Sequence, residues 1–177
     1  MRFGWADFRW VGVLGVIALA ACGRSAVSSA DLEQNARAAA FFMETNAKEE
    51  GVQTLASGLQ YKVVQSGPSG AASPDSNDLV RVDYEGALTD GTVFDSSFAK
   101  GQPFVTSPEQ VVPGWTEALQ LMKAGDEWLL YVPPALGYGE QGGGTKIPGN
   151  AVLVFRIKLL DVAPVPGGNR GVGVAMG

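Results

Sequence analysis

Apolar positions change their rhythm several times along this chain. Residues 11–21 are nearly continuously apolar. That run is too short to cross a bilayer as a helix, which takes about 20 residues, but it has the length of the apolar centre of a secretory signal. Over residues 31–50, Leu32, Ala36, Ala39, Ala40, Met43 and Ala47 recur at three- and four-residue spacing. This predicts a short helix capped by Ser28 or Ser29 and ended near Gly51, acting as a docked element or a spacer. From residue 58 the period becomes two. Leu59, Tyr61 and Val63 alternate with Gln60 and Lys62, and Val80, Val82 and Tyr84 alternate with Arg81, Asp83 and Glu85, predicting strands over 58–65 and 79–88. Thr89-Asp90-Gly91-Thr92 is a hairpin signal, because Asp-Gly tolerates the positive φ of such turns. A strand over 93–98, bent after Asp95, and an extended piece over 103–106 follow. Pro113 opens a helix that runs to residue 122 and carries Trp115, Leu119 and Met122 on one side. Residues 127–132 and 151–162 read as two more strands.

Short strands joined by turns, with one internal helix, predict an α+β domain: an antiparallel sheet with a helix against one face. Residues 133–150 form a connection too long to be neutral, which marks them as functional. Residues 164–177 are Gly-rich, aperiodic and expected to be disordered. The chain of 177 residues holds 24 Gly and 10 Pro and is 46% hydrophobic, enough apolar material for one packed domain with extensions. Its net charge of −5 argues against a general nucleic-acid binder. With no His and one Cys, the chain offers no His-based triad, no His metal ligand, no internal disulfide and no Cys-cluster metal site. Neither a metal nor a cofactor is expected.

The lone Cys22 follows Leu19-Ala20-Ala21 at the end of the apolar run, behind Arg2 and Arg9. This resembles a bacterial lipobox, in which the Cys becomes the lipidated first residue of the mature protein; the plain alternative is a chance cysteine behind an ordinary signal. The lipobox reading predicts a signal peptide over 1–21 and a tether over 22–30. Gly23, in place of Asp, favours the outer membrane, with the inner membrane and the cell surface left open. Stable anchoring takes more than one acyl chain, and bacterial lipoproteins carry several.

Several motifs stand in one order: Val82-Asp83-Tyr84-Glu85-Gly86, Gly91-Thr92-Val93-Phe94-Asp95-Ser96-Ser97, Gly101-Gln102-Pro103-Phe104, Val111-Val112-Pro113-Gly114-Trp115, Leu136-Gly137-Tyr138-Gly139, Ile147-Pro148, and Asn150-Ala151-Val152-Leu153-Val154-Phe155. Together they resemble the FKBP-type peptidyl-prolyl isomerases, and the lead-in at 47–61 resembles the Mip-like periplasmic group. The resemblance implies an isomerase domain over 54–163, behind a helix and linker over 31–53. Its sheet would have five or six antiparallel strands wrapped around one short helix. It also implies an apolar pocket with Tyr84, Phe94, Asp95, Trp115, Tyr138 and Phe155 as catalytic residues, and with Phe104, Val111, Val112 and Ile147 as substrate-binding residues. Trp115 would be the floor and Asp95 the polar edge. The Val112 N–H and the Tyr138 hydroxyl would hold substrate carbonyls. Taken singly, Tyr84, Phe94 and Phe155 read as core aromatics and Asp95 as a turn cap.

The implied partners are proline-containing unfolded or partly folded polypeptides at the periplasmic face of the envelope, with macrolides such as tacrolimus and rapamycin as inhibitors. A holding module with little isomerase activity, or a structural lipoprotein without it, is the rival reading. Relatives with a long N-terminal helix dimerise; the short helix here predicts a monomer. The chain also departs from the family pattern. Thr106 replaces a frequent aromatic, the segment before Val111 is short, Gly149 stands where a second Pro is frequent, and Gly143-Gly144 loosens the loop before Ile147. Gly137-Tyr138-Gly139-Glu140-Gln141-Gly142 matches a dinucleotide fingerprint as a string, but no helix opens after it.

Overall fold

The computed structural model describes residues 28–167; the signal, lipobox and most of the tether and tail lie outside them. The first helix, α1 (Ser29–Asn46), begins inside the expected tether, because Ser28 and Asp31 form a reciprocal capping box. Strands β1 (Val52–Thr54), β2 (Gln60–Gln65), β3 (Leu79–Leu88) and β4 (Val93–Ser96) follow. After them come the single turn α2 (Ser97–Lys100), β5 (Phe104–Thr106), α3 (Pro113–Leu121), β6 (Glu127–Val132) and β7 (Leu153–Ala163).

All strand pairs are antiparallel, in the order β1-β2-β6-β7-β3-β4, with β5 also on β3. The outer edge of β3 is shared: β5 pairs Val80–Val82 and β4 pairs Glu85–Ala87. The sheet has seven strands, one more than the upper expectation. The addition is β1, which the periodicity hid inside the linker because it is only three residues long. The strand expected over 93–98 stops at Ser96. The Ser96 hydroxyl accepts from the Ala99 N–H and turns the chain into α2, which Gly101 closes at φ +70°.

One face of the sheet wraps α3. Pro113 starts this helix, and Trp115, Ala118, Leu119 and Met122 bury its inner side against Val80, Val82, Leu130, Val132, Ile157 and Leu159. Strands β3 and β6 alternate buried and more exposed residues, as a half-buried sheet requires. Helix α1 is docked, not free. Phe42 meets the Tyr131 ring at 6.1 Å, and a buried amide pair joins Asn46 Nδ2 to Gln60 Oε1 at 2.8 Å. Val165, inside the tail expected to be disordered, is tied to the domain: its N–H donates to Asp78 Oδ1 at 2.8 Å.

Candidate active site

A cavity of about 430 Å³ opens where the sheet's inner face meets the start of α3. Trp115, 4% exposed, packs its edge geometry against two rings. Tyr84 stands at 5.2 Å and 83° to it, and Phe155 at 5.1 Å and 84°. Phe94 meets Phe155 at 5.6 Å and 88°, and Phe104 meets Tyr84 at 5.9 Å. These separations and near-perpendicular planes are the favoured arrangement of aromatic quadrupoles, so each ring locks its neighbour. Residues from β3, β4, β5, β7 and α3 thus converge on one apolar box.

Tight packing behind the box depends on Gly86. A Cβ there would stand 2.7 Å from both the Phe94 and Phe155 rings. Only glycine lets those two rings meet over β3. Ser97, the first residue of α2, accepts the Tyr84 backbone N–H at 2.9 Å and donates to Asp83 Oδ1 at 3.1 Å. It pins the strand just where Tyr84 enters the cavity.

The polar edge is a triad. The Tyr84 hydroxyl donates to Asp95 Oδ2 at 2.5 Å, Lys100 Nζ lies 2.6 Å from Asp95 Oδ1, and the Ser96 N–H also donates to Oδ1. Burial pushes the Asp95 carboxyl up, but the bonds from Lys100, Tyr84 and Ser96 outweigh it and hold the group below the usual carboxylate range. Burial and the adjacent carboxylate push the Tyr84 phenol up, against the pull of Lys100. At neutral pH Asp95 is therefore charged and Tyr84 is protonated. Neither group is poised to exchange a proton with a substrate.

Val111, Val112 and Gln110 line the wall beside α3, and Tyr138, 43% exposed, stands at the rim. The Val112 N–H donates to no group among the described residues. Of the residues expected in the pocket, only Ile147 lies outside this cavity. It lines an adjoining one of about 410 Å³ with Lys146 and Gly143–Thr145, and Phe94, Asp95 and Tyr138 border both. The reason is local: Gly143 and Ile147 pair through two backbone bonds, folding residues 143–147 into a flap beside the box. Lys146 Nζ from that flap bonds the Phe94 carbonyl at 3.2 Å.

Sequence patterns gave no role to Lys100, Gln110, Ser97 or Gly86, although Gly86 and Ser97 stand inside the ordered motifs. Lys100 also left a signal: a cation five residues after Asp95, across a turn marked by Ser96 and Gly101.

Residues 70–160 match the family described as FKBP-type peptidyl-prolyl cis-trans isomerase, and residues 20–63 match the domain amino terminal to it. A probable FKBP-type peptidyl-prolyl cis-trans isomerase FkpA of Neisseria meningitidis is 49% identical over 133 residues, covering 75% of this chain and 48% of that protein. The outer membrane protein MIP of Legionella longbeachae is 44% identical over 139 residues, covering 78% and 59%. A crystal structure of a peptidyl-prolyl cis-trans isomerase from Pseudomonas syringae superposes with a TM-score of 0.71 at 36% identity, covering 77% of this chain and 99% of the other. The chain spans about half the length of the curated relatives it matches.

Proposed function

The chain belongs to the FKBP-type peptidyl-prolyl cis-trans isomerase family, and on that premise we propose that its aromatic box seats a prolyl ring and speeds rotation about the preceding peptide bond. The observation that carries this reading is the edge-packed series of rings Tyr84, Trp115, Phe155 and Phe94 along one open cavity with a charged edge.

Rotation about an Xaa-Pro bond is slow because the C–N bond is partly double, with a barrier of ~18–20 kcal/mol. No covalent bond is made or broken, so the protein need only favour the twisted amide over the planar one. Twisting breaks conjugation and makes the carbonyl less polar. An apolar ring-lined cavity therefore penalises the twisted state less than water does. The walls hold the proline ring and the flanking chain in one geometry. The unpartnered Val112 N–H and the Tyr138 hydroxyl are the donors suited to neighbouring substrate carbonyls. Asp95 stays ionised and orients Tyr84, so the rings keep their places as the amide turns.

The substrates are proline-containing chains folding at the bacterial envelope, with Cys22 as a lipid anchor in the outer membrane. Support comes from the residue pattern at 11–22 and from the outer membrane protein name of the Legionella relative. Macrolides that mimic a prolyl carbonyl, rapamycin and tacrolimus among them, compete for the same box.

The test is an Xaa-Pro peptide isomerisation assay on the purified protein, with and without rapamycin, beside folding of a proline-free client. Acceleration abolished by rapamycin is expected. A folded protein that holds clients without accelerating isomerisation would replace this reading with that of a holding module. Radiolabelled palmitate incorporation in cells, lost in Cys22→Ala, tests the anchor.

A further inference from the structure

Helix α1 holds the far end of the 137–150 loop through a reciprocal clip. Asn35 Nδ2 donates to the Gly149 carbonyl at 2.9 Å, and Asn150 Nδ2 donates back to the Leu32 carbonyl at 3.0 Å. Both bonds are partly buried, and they join residues more than a hundred positions apart.

The loop end is shaped for this contact. A Cβ on Gly149 would stand 2.1 Å from the Glu140 carbonyl and 2.5 Å from Leu32 Cδ2, so a side chain there would force the loop's own backbone apart and press on the helix. Asn150 adopts φ +60°, the one positive φ among described non-glycine residues. Asn tolerates that region better than most residues, and it turns the amide back onto α1.

From the clip, the Asn150 N–H donates to the Gly139 carbonyl at 2.8 Å, and the next residue back is Tyr138 at the cavity rim. The Gly142 N–H in turn donates to the Tyr138 carbonyl at 3.2 Å. Five glycines between 137 and 144 leave this stretch little stiffness of its own. Its order must come from what it is tied to.

We propose that Asn35 and Asn150 are positioning residues for the isomerase, through which α1 braces the loop that carries Tyr138 against the prolyl cavity. The proposal rests on the functional reading above. It gives α1 a part in catalysis in addition to linking the domain to the preceding chain. A loosened loop leaves the aromatic box intact but lets the Tyr138 hydroxyl wander, so the loss falls on substrate capture.

The experiment compares the full chain with Asn35→Asp, Asn35→Ala, Asn150→Asp and Asn35→Gln, with Glu33→Ala as an exposed control on the same helix. Asn35→Asp keeps the shape and replaces the donor with an acceptor. Isomerisation kinetics, hydrogen exchange over residues 137–150 and thermal melting are measured on each. The expected result is a loss in kcat/KM of about fivefold, the scale of one lost hydrogen bond, carried by KM with kcat nearly unchanged. Exchange over 137–150 is faster in the three disrupting variants, and Asn35→Gln recovers part of both effects. Unchanged KM and unchanged exchange in variants that melt like the parent would overturn the brace. A parent that shows no isomerisation sinks the functional reading instead, and the exchange data still decide whether the clip orders the loop.

Discussion

Tyr84 and Asp95 share a hydrogen bond of 2.5 Å, donated by the phenol and accepted by the carboxylate. Lys100 closes the triangle, 2.6 Å from the carboxylate and 3.4 Å from the phenol oxygen. Tyr84→Phe removes one donor and leaves Asp95 with Lys100, so kcat/KM falls modestly, by about fivefold. Asp95→Asn removes the charge that both partners face and costs more, about tenfold or above. Because the residues act as a unit, the double variant loses less than the product of the two. Multiplicative losses in a peptide isomerisation assay would show that the bond does not orient the ring.

Gly86 lies directly against two rings of the site. Gly86→Ala places a methyl carbon 2.7 Å from the Phe94 and Phe155 rings, which must part. Overpacking of this kind costs about 1–3 kcal/mol, and the displaced rings distort the cavity. Denaturant unfolding and rapamycin affinity should fall together. An unaltered affinity would mean that the box tolerates displaced walls.

The chain has no His, and the resolved shifts run away from neutrality: carboxyls move down, while two phenols and Lys100 move up. Asp95 and Asp126 are both held below their ordinary value of 3.8, burial being outweighed by bonds from Lys100 and Lys123 respectively. Their contribution to stability is complete above about pH 4 and is lost as pH falls through the lowered values. Tyr84 and Tyr131 are raised from 10.0, chiefly by burial. Their contribution is complete below that value and is lost as pH rises through the raised ones. Stability and kcat/KM should therefore be flat from about pH 5 to 9. A titration step near pH 6.5 in either quantity would contradict this.

Asn46 holds the end of α1 to the sheet. Its Nδ2 donates to Gln60 Oε1 inside the protein, while Gln60 Nε2 donates to the Met43 carbonyl at 2.8 Å. Asn46→Ala strands a buried acceptor and should cost about 1–3 kcal/mol in urea unfolding. Glu33→Ala, which breaks only the exposed pair with Arg37, should cost under about 1 kcal/mol. Equal costs would show that the amide pair does not anchor the helix.

The protein should sediment as a monomer, since the inner side of α1 is already spent on Phe42–Tyr131 and the Asn46–Gln60 pair. Phe41, 73% exposed, is the large apolar residue left on its outer side. A dimer that Phe41→Ser dissolves would reverse this expectation.

The sequence alone determined the longer strands and the central helix, because each has a buried face that apolar periodicity reports; three-residue β1 was too short to show one. Alternation placed β3 at 79–88, a run of large apolar residues placed β6 at 127–132, and Pro113 with Trp115, Leu119 and Met122 placed α3. The ordered motifs also named the aromatic residues that the cavity brings together. Periodicity does not say what a buried face meets. That Gly86 must be bare, that Lys100 turns back onto Asp95, and that Ile147 sits in a neighbouring flap depend on how β3, β4, α2 and the 137–150 loop pack. The tie from Asn35 to Gly149 lies further from any local pattern. A side-chain amide meeting a backbone carbonyl 114 residues away leaves no repeat and no spacing in the chain. Only the folded sheet, by setting α1 beside the end of that loop, brings the donor and the acceptor within reach.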